Sequence, residues 1–87
     1  MANKHVVIYE SGLCGFCHAA KRLLDGKGVE YETIRVDKDA AQKQIMMERS
    51  GRRTVPQIFL GDHHVGGFDD LYALESDGEL DALLAAD

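Results

Sequence analysis

Cys14 and Cys17 are the only thiols in a chain of 87 residues, and they stand two residues apart in Cys14-Gly15-Phe16-Cys17-His18. Two thiols at this spacing can close a small disulfide, contribute to a metal site or, with His18 following, attach a c-type haem. Haem attachment calls for export and for a second axial ligand on an apolar surface. No apolar leader of signal-peptide length is visible. The candidate methionines, Met46 and Met47, lie in an amphipathic stretch that reads as core filling. A structural zinc site takes four ligands. The other candidates, His5, His63 and His64, include no companion pair of the right spacing, and adjacent His63 and His64 point to opposite faces of a strand. These neighbours favour redox exchange by the dithiol, with His18 facing solvent.

The chain's length bounds the answer to a single domain spanning residues 1–87, large enough for one core but not two. Apolar residues at 45% and charged residues at 29% describe a folded globular chain rather than a disordered one. The net charge of −5 argues against a nucleic-acid partner, which needs a basic face. Positive charge is local, at Lys43, Arg49, Arg52 and Arg53. No stretch approaches the roughly 20 apolar residues of a membrane span, so the expected location is cytoplasmic. In that reducing compartment a Cys pair is catalytic or metal-binding more often than it is a structural staple.

The elements that must position the dithiol follow from pattern. His5 to Tyr9 is a β-branched apolar run, read as a first strand covered on both faces. The cysteines come next, at the start of a helix that runs through Leu23 and Leu24 to Asp25-Gly26. Glu30 to Val36 alternates like a half-exposed strand, completing a βαβ unit. Asp37 or Asp39 can cap a second helix through Ala40, Ala41, Ile45, Met46 and Met47 to Ser50-Gly51. Gln57 to Leu60 and His63 to Val65 make a hairpin about Gly61-Asp62, with the histidines on an edge strand. Phe68 to Ser76 is a third helix, and Glu79 to Ala86 a last short amphipathic one. The expected class is α/β, a four-stranded mixed sheet in the order β-α-β-α-β-β-α with helices on both faces.

A helix start leaves backbone N–H groups unpaired and carries a partial positive charge, so a sulfur placed there is favoured as thiolate. Cys14 occupies that position and is assigned as nucleophile and leaving group. Cys17, one turn further in on the same face, is assigned as the resolving thiol.

The dithiol after the first strand, Thr54-Val55-Pro56 before the third strand, and Gly66-Gly67-Phe68-Asp69-Asp70 before the third helix resemble, in order and spacing, the dithiol glutaredoxins of the thioredoxin superfamily. That resemblance covers nearly the whole chain and implies a thioredoxin-like fold with a cis Val55–Pro56 bond. It implies a glutathione site formed by Phe16, Lys43, Thr54, Val55, Pro56, Gly67, Phe68, Asp69 and Asp70. Val55 would offer its backbone to the cysteinyl unit of glutathione. The N–H groups of Phe68 and Asp69 would take the γ-glutamyl carboxylate, Asp69 or Asp70 its amine, and Lys43, with Arg52 or Arg53, the glycine carboxylate.

The activity so implied is glutathione-dependent thiol–disulfide exchange on protein disulfides and glutathione mixed disulfides, by a monomer with glutathione as co-substrate. No cofactor is bound permanently. Two other readings use the same cysteines: a thioredoxin-like electron donor to a reductase, and a scaffold for a [2Fe-2S] cluster held by Cys14 of two subunits and two glutathiones. The chain departs from its family in three ways. Gly15 and Phe16 replace the usual proline and tyrosine, which loosens the loop and shifts the reduction potential. Ser11 stands where a lysine is common, which predicts weaker thiolate stabilisation. Phe68 replaces a small or polar residue and narrows the groove.

Overall fold

A computed structural model describes residues 5–85. Its central strand, β1 (Val6–Glu10), is buried at every position, as the unbroken apolar run predicts. Alternation divides its side chains: Val6 and Ile8 enter one core, Val7 and Tyr9 the other. Parallel β2 (Glu32–Arg35) pairs with one edge of β1 and antiparallel β3 (Gln57–Leu60) with the other. The edge strand β4 (His63–Gly66) folds back on β3, giving the order β2-β1-β3-β4.

Three helices cover one face: α1 (Gly15–Gly26), α3 (Phe68–Ser76) and α4 (Leu80–Ala85). Ala20, Leu24, Leu71, Leu80 and Leu84 pack there on Val6, Ile8, Ile58 and Leu60. Each fully buried Leu or Ile of this layer contributes about 1.5–3 kcal/mol of transfer free energy. The other face carries α2 (Ala40–Ser50), whose Met46 packs with Val7, Tyr9, Val36 and Phe59. This is the thioredoxin-like arrangement of a mixed four-stranded sheet between helices.

Several boundaries differ from the sequence expectation. β2 is shorter than Glu30–Val36: its ladder with β1 runs from Glu32 to Arg35. Asp39, not Asp37, caps α2, accepting from Ala41 N at 3.0 Å and Gln42 N at 3.2 Å. Asp37 instead takes the Arg35 guanidinium at 2.8 and 2.7 Å and the Gly12 N–H at 3.2 Å, tying the end of β2 to the turn before Cys14. Ile45 is exposed, since positions 45, 46 and 47 spread over roughly 200° of helix and cannot all face the sheet. The last helix is seen from Leu80 to Ala85; Ala86 lies outside the described residues.

Candidate active site

The apolar stripe of α1, Cys17, Ala20 and Leu24, sets the rotation of the helix and buries Cys17 to 1% exposure. Cys14 is left at the cap, in extended backbone, where its Sγ accepts the Cys17 N–H at 3.1 Å. Of the two sulfurs Cys14 is the one within reach of solvent. Burial, followed by the contact with Cys14, pushes the Cys17 thiol up to about 12, although the Ser11 N–H works against this. Beside it, one turn on, Lys21 Nζ lies 2.7 Å from Glu10 Oε1, an ion pair largely out of water. Glu10 reads in the sequence only as the boundary of a strand. His18 is exposed, as expected.

The second part of the site comes from β3. Because β3 lies beside β1, the turn preceding it reaches the head of α1, and the Cys14 thiol contacts the Val55 carbonyl oxygen at 3.8 Å. The Val55–Pro56 bond is cis, as the resemblance implies. Thr54 is exposed, Val55 half-buried and Pro56 buried.

The third part is the start of α3. Gly66 has φ of 118°, a conformation in which a side chain is disfavoured, and a Cβ there would run into the Asp70 carboxylate. Gly67 lies against the turn, with the Pro56 carbonyl oxygen 3.6 Å from where its Cβ would stand. Asp70 Oδ2 accepts the Gly67 N–H at 3.0 Å and Arg52 Nη1 at 3.0 Å. The Gly67 N–H, then the Arg52 guanidinium, hold the Asp70 carboxyl below its ordinary range. Asp69 is exposed. Phe68 stacks on Phe16 with centroids 6.0 Å apart and lies tilted against Tyr72 at 5.9 Å, so an aromatic row joins the dithiol helix to α3. Phe16 is 65% and Tyr72 56% exposed, and Leu13, next to Cys14 in the chain, is wholly exposed.

Val55 thus meets Cys14, Phe16 meets Phe68, Gly67 lies against Pro56, and Asp70 joins Gly67 to Arg52. Lys43 is exposed on α2, the helix that covers the other face of the sheet. Arg52 is engaged with Asp70. Among the described residues no group of three or more His, Cys, Asp or Glu converges as a metal site. A cluster on Cys14 would thus draw its other ligands from outside the chain.

Gln57 and His64, the latter legible in the sequence only as an edge-strand histidine, support this turn. Gln57 is fully buried and donates from Nε2 to the Thr54 carbonyl at 3.0 Å and to Thr54 Oγ1 at 3.3 Å. Its Oε1 meets His64 Nε2 at 2.7 Å. The available signal was an amide at the head of an otherwise apolar central strand, a group that must find partners if buried.

The glutaredoxin family model matches residues 6–65. Glutaredoxin 3 of Escherichia coli (strain K12) is 52% identical over 84 residues, covering 97% of this chain and 99% of that protein. A glutaredoxin from Brucella melitensis, solved in solution, superposes with a TM-score of 0.85 at 49% identity, over 97% of this chain and 91% of that one. A buckwheat glutaredoxin solved as its glutathione complex gives 0.86 at 33% identity, over 93% and 76%. At this identity over this share of its length, the chain belongs to the glutaredoxin family.

Proposed function

We propose that this thiol–disulfide oxidoreductase is glutathione-dependent and works as a single domain over residues 1–87, as a cytoplasmic monomer. The observation that carries the reading is the meeting of Cys14 Sγ, at a helix cap, with the backbone of the cis-proline turn at Val55. A reactive sulfur beside an open peptide edge suits a disulfide whose reacting half has a peptide backbone of its own. The glutathione held by the buckwheat relative supports that choice. No described helix is long and apolar enough to cross a membrane.

In this reading Cys14 thiolate attacks the glutathione sulfur of a mixed disulfide. The protein thiolate leaves, and glutathione remains on Cys14. A second glutathione thiolate then attacks that glutathione sulfur, releasing oxidised glutathione and restoring Cys14. On protein disulfides Cys17 attacks Cys14 Sγ, expelling the substrate thiolate, and two glutathiones reduce the resulting Cys14–Cys17 bond. A Cys17 thiol held near 12 stays protonated until its turn, which limits premature closure. Phe16, Thr54, Val55, Pro56 and Gly67 to Asp70 line the groove for glutathione. Lys43, with Arg52 or Arg53, supplies the cation for its glycine carboxylate; Arg52 is held beside the groove by its bond to Asp70.

The test is reduction of a glutathionylated peptide by the two cysteine variants. Cys14→Ser is expected to be inactive, and Cys17→Ser to retain the activity; an inactive Cys17→Ser contradicts the one-thiol route. Turnover driven by thioredoxin reductase but not by glutathione with its reductase would favour the thioredoxin-like reading instead.

A further inference from the structure

Gln57 stands directly after Pro56, fully buried at the head of a strand that continues Ile58-Phe59-Leu60. A primary amide in such a place is costly unless it is bonded. Its three bonds settle which way it points. The Thr54 carbonyl can only accept, so the amide NH₂ faces Thr54 and Oε1 faces His64. His64 therefore carries a proton on Nε2. The imidazole is itself held over Phe59, centroids 4.8 Å apart and planes 30° apart. Phe59 is clamped in turn by the edge of Tyr9 at 5.7 Å and the guanidinium of Arg49 at 4.0 Å.

A continuous set of directed contacts thus runs from the core under α2 to Thr54. Both bonds to Thr54 end one residue from Val55, whose carbonyl meets Cys14 Sγ. Resting on the glutathione reading above, we propose that Gln57, oriented by His64, is a positioning residue that sets the preference for glutathione as the transferred thiol. It does so by fixing the Thr54-Val55-Pro56 backbone against which the glutathione cysteinyl unit aligns. A transferred thiol without a peptide backbone has nothing to align on this edge and is indifferent to Gln57. The step concerned is balanced by its own reactants: Cys14 thiolate and a peptide disulfide give the Cys14 mixed disulfide and the peptide thiolate.

The experiment is single-turnover release of a peptide thiol by the reduced full chain. The peptide carries on its cysteine either glutathione or 2-mercaptoethanol, which offers no backbone. Gln57→Leu is expected to slow the glutathione reaction about tenfold, as loss of one or two net hydrogen bonds would, and the mercaptoethanol reaction by less than about twofold. His64→Leu is expected to lower the glutathione preference about threefold, His64→Gln to restore it by supplying an N–H at the same reach, and His63→Ala to leave it unchanged. Equal slowing of both reactions by Gln57→Leu, or slowing of neither, overturns the inference. Should Gln57→Leu not fold, the His64 pair decides: one preference shared by wild type, Leu and Gln overturns it. A wild type with no preference for glutathione is a different failure, that of the glutathione reading itself.

Discussion

Beneath α1, α3 and α4 the sheet presents mainly apolar side chains, Val6, Ile8, Ile58 and Leu60, to an apolar layer of helix residues, the Glu10–Lys21 ion pair at the end of β1 being the charged exception. Beneath α2 it sets Val7 and Phe59 among polar and charged groups: the Tyr9 hydroxyl bonded to Arg49 at 3.0 Å, Arg49 over the Phe59 ring, and Gln57 bonded to His64. The two kinds of packing hold different parts of the site. Apolar burial is strong but without direction, and it anchors the helix that carries Cys14 and Cys17. Hydrogen bonds contribute less net free energy but fix angles, and they anchor the turn that meets Cys14. The first face chiefly sets stability, and the second sets how a substrate is aligned.

The largest test of this division is on the first face. Leu24→Ala is expected to cost about 2–5 kcal/mol in denaturant unfolding, as a fully buried leucine truncated in a packed layer does. Where the variant remains folded, its preference for glutathione over mercaptoethanol should match wild type. A parallel loss of preference would show that the faces are not separable.

Titration should weaken the two faces from opposite ends of the pH scale. Cys17, on the first face, has a folded value of about 12 against an ordinary 9.0. The unfolded chain loses this proton first, so stability is complete below about pH 9 and declines as pH rises towards 12. Cys17→Ala should flatten that alkaline slope. His64, on the second face, is held below its ordinary range by burial and then by Arg52, with His63 and Arg49 adding to the effect and Asp70 opposing it. Here the unfolded chain gains a proton first. Stability is complete above about pH 6.5 and falls as pH drops through the depressed value, a slope that His64→Gln should remove. Equilibrium unfolding as a function of pH reads both.

Arg49→Met comes next, removing the guanidinium from Phe59 and leaving the Tyr9 hydroxyl without its partner. The expected cost is about 1–2 kcal/mol by the same unfolding measurement. Because Phe59 supports His64, a reduced glutathione preference should accompany it, unlike the outcome for Leu24→Ala. The smallest effect is a gain. An added Cβ at Gly15 meets nothing within 4 Å, and Gly15 lies outside the left-handed region, so Gly15→Ala should stabilise α1 by about 0.4–1 kcal/mol. Its reduction potential, measured against glutathione, tests whether the glycine tunes the dithiol.

Local pattern in the sequence determined what each segment is. The apolar run at His5 to Tyr9 marked a strand covered on both faces, Gly61-Asp62 marked a hairpin, and the helix start after the Ser11-Gly12 turn put Cys14 at the cap and Cys17 one turn further in. Such features arise from backbone period and turn chemistry within a few residues, so they can be read without knowing the fold. Tertiary structure decided which of these pieces meet. Cys14 reaches Val55, 41 residues away, because β3 rather than β4 pairs with β1. Arg52 closes on Asp70 because the turn before β3 abuts the start of α3, and Lys43 is carried to the far face with α2. The register of β3 on β4 sets His64 opposite Phe59 and within reach of Gln57. These contacts depend on strand order and register, which many distant side chains set together, and no short stretch of sequence records them.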